Sequence, residues 1–157
     1  MKEIINIVLL LVLGIFYIIS FSKVISRYIN SFAPARNNAV TVLYISGIAA
    51  SGIILIDISK VITDSFIYFY DQQAVGNAIL YNLSYFIGSW GFSIGFFFFS
   101  FVLTSFLTKE NEKEALKNNH VELALVHGTL LIILSFLVGP ALTNWAFSFI
   151  PYPELPY

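Results

Sequence analysis

Two stretches of the chain open alike: residues 35–56, ARNNAVTVLYISGIAASGIILI, and residues 116–137, LKNNHVELALVHGTLLIILSFL. In each, an Asn pair closes a basic segment, an apolar run follows, and a glycine lies nine residues after the second Asn. From Asn37 to Ile56 there is no Asp, Glu, Lys or Arg, and after Lys117 the second run carries Glu122 alone. About 20 apolar residues at roughly 1.5 Å per residue match the ~30 Å of hydrocarbon in a bilayer. Lipid offers no partner to backbone N–H and C=O groups, so each run reads as a membrane-spanning helix.

Working outward, residues 4–22 and 72–108 are also free of charged side chains, and the last uncharged run extends from Leu123 to Pro153. The long third and fourth runs are given span cores at 82–107 and 121–145, and Pro140 is expected to kink or end the last helix. The first run is longer than the apolar core of a signal peptide and lacks a small-residue cleavage site before Lys23, so it reads as an uncleaved helix. Composition agrees. Of 157 residues, 58% are hydrophobic and 11% charged, against roughly a quarter charged in soluble domains, and the mean hydropathy is +0.83. The expectation is one all-α membrane domain over residues 1–157, with four transmembrane helices.

Lys and Arg set the orientation. Lys23, Arg27 and Arg36 lie between helices 1 and 2, and Lys109, Lys113 and Lys117 between helices 3 and 4, whereas the other side holds Lys2 and Lys60. This distribution puts loops 1–2 and 3–4 in the cytoplasm and both termini outside, in a bacterial inner membrane. Residues 22–32 place Val24, Ile25, Tyr28, Ile29 and Phe32 at helical spacing opposite Lys23, Arg27 and Asn30. Residues 109–117 pair Lys109 with Glu112, Glu110 with Lys113 and Glu114 with Lys117 at i,i+3, the pattern of a solvated helix. Both read as extensions of helices 1 and 3 beyond the headgroups, with a partner-docking surface as the alternative. Residues 61–70 and 147–157 are aromatic and suit an outer loop and tail at headgroup level.

A shift of 81 positions aligns Gly14 with Gly95, Phe16 with Phe97, Asn37-Asn38 with Asn118-Asn119, Val40 with Val121 and Gly47 with Gly128. Each half is a helix, a basic segment and a helix. Two parallel-oriented two-helix repeats are therefore expected, at about 1–71 and 78–157, related by an axis along the membrane normal. The doubled Asn-Asn and Gly pattern in four helices resembles domain-of-unknown-function family 350, the YjfL-like small inner-membrane proteins of bacteria. The resemblance covers the four-span layout and the two quoted stretches. The sequence departs from the family in its aromatic outer segment, Phe-rich helix 3, Pro-rich tail, Glu122 and His127. It implies a membrane-associated support role, of the membrane-stress kind, rather than a reaction.

Small residues mark packing seams: Ser84, Gly88, Gly91 and Gly95 on helix 3, Ala124, Gly128, Ser135 and Gly139 on helix 4, and Gly47 and Ser51 on helix 2. Packing within the chain is the first reading of these seams, and contact between chains the second. Asn38 and Asn119 are expected as helix caps, with Thr41 and Glu122 at N3, where Glu122 reaches back to the cap. The alternative makes Glu122 a proton or cation site. His127 lies about 12 Å beyond the cap and reads as a neutral side chain bonded across the bundle to Ser46, or as a protonatable relay. Glu122 and His127 differ by roughly 140° in azimuth and do not face each other on one helix.

His120 and His127 are about 10.5 Å apart along the helix, too far to share a metal ion, and two His of one helix cannot ligate both faces of a haem. The chain has no Cys, no hydrolase, zinc-protease or phosphate-loop motif, and a net charge of −1 with no basic stripe for nucleic acid. No catalytic residue, cofactor or metal is expected. The reading is a non-enzymatic membrane protein, a structural or accessory subunit that self-associates or docks to another membrane protein. The alternative is an oligomeric proton or cation channel, or a transporter component, using Glu122 and His127.

Overall fold

The computed structural model describes residues 2–33, 37–72 and 74–148. Five helices follow in order: α1 Lys2–Asn30, α2 Asn38–Asp71, α3 Val75–Thr108, the short α4 Glu112–Lys117, and α5 Val121–Phe147. The protein is all-helical among the described residues, and α1, α2, α3 and α5 are each long and apolar enough to cross a membrane. The aromatic tail 149–157 lies outside the described residues.

Three boundaries differ from the sequence reading. Residues 57–71, expected in part as an outer loop, continue α2 without a break. That stretch contains no Gly or Pro, and Ile58, Val61, Ile62, Ser65, Phe66 and Phe69 recur at helical spacing and are all buried on one face. Helix α3 correspondingly begins at Val75, well before Asn82. Pro140 does not end α5, which runs on to Phe147. A proline deprives the helix of one backbone bond, that to the Phe136 carbonyl, but its ring here is exposed and the helix on either side of it is unbroken. At the other end, α1 carries its amphipathic stretch directly through to Asn30.

The widest interface joins α2 to α5, with α3 and α1 packed on α2 and little contact between α3 and α5. Glycine sets these distances. A Cβ on Gly128 would stand 2.8 Å from the Ser46 Cβ, and one on Gly139 would stand 3.1 Å from the Asp57 carboxyl carbon, so α5 approaches α2 through both. A Cβ on Gly47 would meet the Phe97 ring at 3.1 Å and Ile25 at 3.3 Å, where α3 and α1 close on α2. Ala124, Ser135 and Ser51 are buried in the same interior.

The α3 seam is the correction. Gly88, Gly91 and Gly95 have open space where a Cβ would stand, and Ser84 is exposed with them. The buried face of α3 is instead Asn82, Phe86, Ser89, Ser93, Phe97, Ser100 and Thr104. Hydroxyl and amide groups gain most by leaving lipid, because inside the bundle they find acceptors, whereas glycine has no polar side chain to satisfy.

Candidate functional site

The connection between α3 and α5 does not project into solvent. Lys109 and Asn119 are the two non-glycine residues with positive φ, 58° and 62°, among the described residues, and they bracket α4. Left-handed backbone at both ends turns the segment back against the bundle, where Ala115 and Leu116 are buried. Two amide side chains tie it down. Asn37 Nδ2 donates to the Leu116 carbonyl at 2.7 Å, and the Ala39 N–H donates to Asn119 Oδ1 at 3.1 Å.

Docking α4 in this way points Glu112 inward. Its Oε1 stands 2.8 Å from His127 Nδ1, and the two side chains are 2% and 1% exposed. On the other side of the ring, His127 Nε2 lies 2.6 Å from Ser100 Oγ on α3. That hydroxyl also donates to the Phe97 carbonyl at 2.6 Å. The Phe101 ring meets the imidazole edge-on at a centroid distance of 4.5 Å, and Phe97 lies at 6.3 Å. Although close, Nδ1 and Oε1 are not aligned as a hydrogen bond, and neither they nor Oε2 has such a partner among the described residues. The imidazole is thus the nearest polar group to a carboxyl sealed inside the bundle.

The order Ser100, His127, Glu112 has the spacing of a nucleophilic relay. Its surroundings do not suit attack on a substrate. Ser100 is fully buried, and it lies in mid-helix where neighbouring N–H groups are committed to the α3 ladder. What the arrangement offers is three groups in a row that can hold and pass a proton.

The sequence-derived residues fall differently. His127 is in the core, yet its partners are Ser100 and Glu112, because Ser46 packs against Gly128 instead. Glu122 is exposed and lines a shallow depression of about 250 Å³ with Thr108, Glu110 and His120, apart from His127. The cap of α2 is Asn37, whose Oδ1 accepts from the Val40 N–H at 2.8 Å, while Asn38 is exposed in the first turn. Asn119 does not cap its own helix. Its left-handed backbone carries the side chain over to α2, α5 starts after His120 without a side-chain cap, and the reach-back expected of Glu122 does not form.

Glu112 and Ser100 were not singled out by sequence. Glu112, Ala115 and Leu116 do share a face of α4, a weak amphipathic signal in so short a helix. Comparison with family models, curated proteins and solved structures finds no match.

Proposed function

We propose that this chain is a non-enzymatic integral protein of the bacterial inner membrane that works by association, with a second copy or with another membrane protein. The observation that carries this reading is the open face of α3. Gly88, Gly91 and Gly95 are unoccupied by any neighbour, and exposed Phe92 and Phe99 flank them. Such a face allows a helix backbone to approach closely, and in lipid close van der Waals packing is what drives helices together. The asymmetry of Lys and Arg supports a cytoplasmic side for the α1–α2 and α3–α5 connections, with both termini outside. The doubled Asn-Asn and Gly pattern supports a parallel two-helix repeat and a support role of the YjfL-like kind.

The chain has no Cys, so single cysteines placed at Gly91 and, as a control, at exposed Ile133 of α5 test the face directly. Cross-linking in native membranes should join Gly91→Cys, to itself or to one reproducible partner, and leave Ile133→Cys unjoined. Only monomers, with no co-purifying protein in mild detergent, would overturn the reading. A second reading, the proton or cation conduit, draws on the buried Glu112–His127 contact, with Glu112 in the place first given to Glu122. Liposome flux unaffected by His127→Ala and Glu112→Gln would remove it.

A further inference from the structure

The segment 109–119 is a strap, turned back at Lys109 and Asn119 and carrying the one buried acidic side chain among the described residues, Glu112. We propose that Glu112, His127 and Ser100 form a binding site for one exchangeable proton, and that this proton fastens the strap to the bundle. The site works within a single copy and does not depend on association.

With no proton beyond those of the neutral imidazole, the sealed site holds a carboxylate and one net negative charge. With one more, it holds either an imidazolium with a carboxylate or an imidazole with a carboxylic acid, and the net charge is zero. With two, one positive charge remains. An uncompensated charge sealed from water costs several kcal/mol, so the closed structure favours the one-proton state.

Ser100 serves both states of the ring. Its Oγ lies 2.6 Å from the Phe97 carbonyl oxygen and 2.6 Å from His127 Nε2. When Nε2 is bare, the hydroxyl turns its hydrogen to the ring. When Nε2 carries a hydrogen, the ring donates to Ser100 Oγ, and the hydroxyl donates to Phe97. The proton is therefore accommodated by rotation of one hydroxyl, with no heavy atom displaced.

The site also has a route to water. A groove of about 630 Å³ lies against Glu112, lined by Tyr28, Phe98, Phe101, Val102, Ser105 and Lys113. A carboxylate that has lost its compensating proton reaches solvent there by swinging α4 away from His127. The rest of the strap is held by the two Asn contacts, by buried Ala115 and Leu116, and by Lys113 over two aromatic rings. The other charged groups at this end do not hold Glu112. On α1, Lys23 and Arg27 are exposed; on the strap, Lys109, Glu110, Glu114 and Lys117 are exposed, and exposed Lys113 lies over the Tyr28 and Phe32 rings at 5.5 and 5.8 Å. His120, just before α5, and Glu122 on it are exposed, α3 carries no Asp, Glu, Lys, Arg or His, and the first on α2 is Asp57, beside Gly139.

Spin labels on Lys117→Cys and Ile45→Cys, both at exposed positions of this cysteine-free chain, report the strap-to-bundle distance in lipid nanodiscs. Raising the pH should deplete the short-distance population in the labelled protein. Adding Glu112→Gln, which keeps the shape but has no proton to lose, should abolish that loss. Alkaline opening that is unchanged by Glu112→Gln, or a distance that never changes, would overturn the proposal. Should Glu112→Gln fail to fold, ring ¹⁵N signals of His127 in the His120→Gln background replace it. They should shift together with the opening, and signals constant through it would equally overturn the site.

Discussion

Asn119 accepts the backbone N–H of Ala39 at 3.1 Å across 80 positions of sequence, so the start of α2 is capped by the residue that leads into α5. Asn37 answers by donating to the carbonyl of Leu116 at 2.7 Å while accepting from its own helix at Val40. Asn37 and Asn119 thus act as a reciprocal clamp at the end where α2 and α5 begin and α4 docks.

Asn119 has two separable roles, and two substitutions separate them. Asn119→Gly keeps a residue suited to left-handed backbone and loses the hydrogen bond to Ala39, which should lower stability by about 1 kcal/mol. Asn119→Ala also leaves a Cβ in that conformation without the polar side chain that makes it tolerable, and should cost roughly 1 kcal/mol more than Gly. Reversible unfolding in mixed micelles would show the order wild type, Gly, Ala; equal losses would deny the backbone role.

Gly128→Ala would press a methyl group onto the Ser46 Cβ, 2.8 Å away, and force α2 and α5 apart. A loss of roughly 1–3 kcal/mol is expected from such overpacking. Ser46→Gly in the same chain should restore most of it, and thermal stability of the single and double variants in detergent measures the coupling.

Gly91→Leu and Gly95→Leu should have the opposite profile. Both positions are open in the isolated chain, so folding should be unharmed, and helix propensity improves by up to about 1 kcal/mol at each. Association should fall, read as loss of the cross-linked species in membranes. Retention of the cross-link in both variants would move the contact to another face.

Tyr17 is buried against α3, where its hydroxyl reaches Ser93 Oγ and the Ser89 carbonyl. Tyr17→Phe keeps the ring packing against Phe86, at 5.5 Å, and removes only the hydroxyl. The expected loss is about 0.6–1 kcal/mol, the range of a single interhelical hydrogen bond in lipid, measurable by the same unfolding assay.

The four spans were legible because lipid imposes one rule on every backbone group, and a long uncharged run satisfies it in only one way. The α2 extension through residues 57–71 was also legible in principle, from Ile58, Val61, Ile62, Phe66 and Phe69 at helical spacing, but Asp57, Lys60 and Asp64 drew the reading toward a loop. The faces of α3 were harder. Glycine and serine lines run side by side along the helix, and sequence does not say which of them meets protein.

The sequence by itself determined an all-helical chain with four membrane-length apolar helices, and it singled out His127 as a polar group in the interior. The tertiary structure alone decided what His127 meets. Glu112 lies 15 positions away in a polar, charged segment whose composition suits water, and its burial depends on two left-handed residues and two Asn clamps that bring α4 beneath the bundle. Spacing along one helix fixes which of its own residues share a face. The partner presented by another element depends on backbone turns that leave no periodic trace in the sequence.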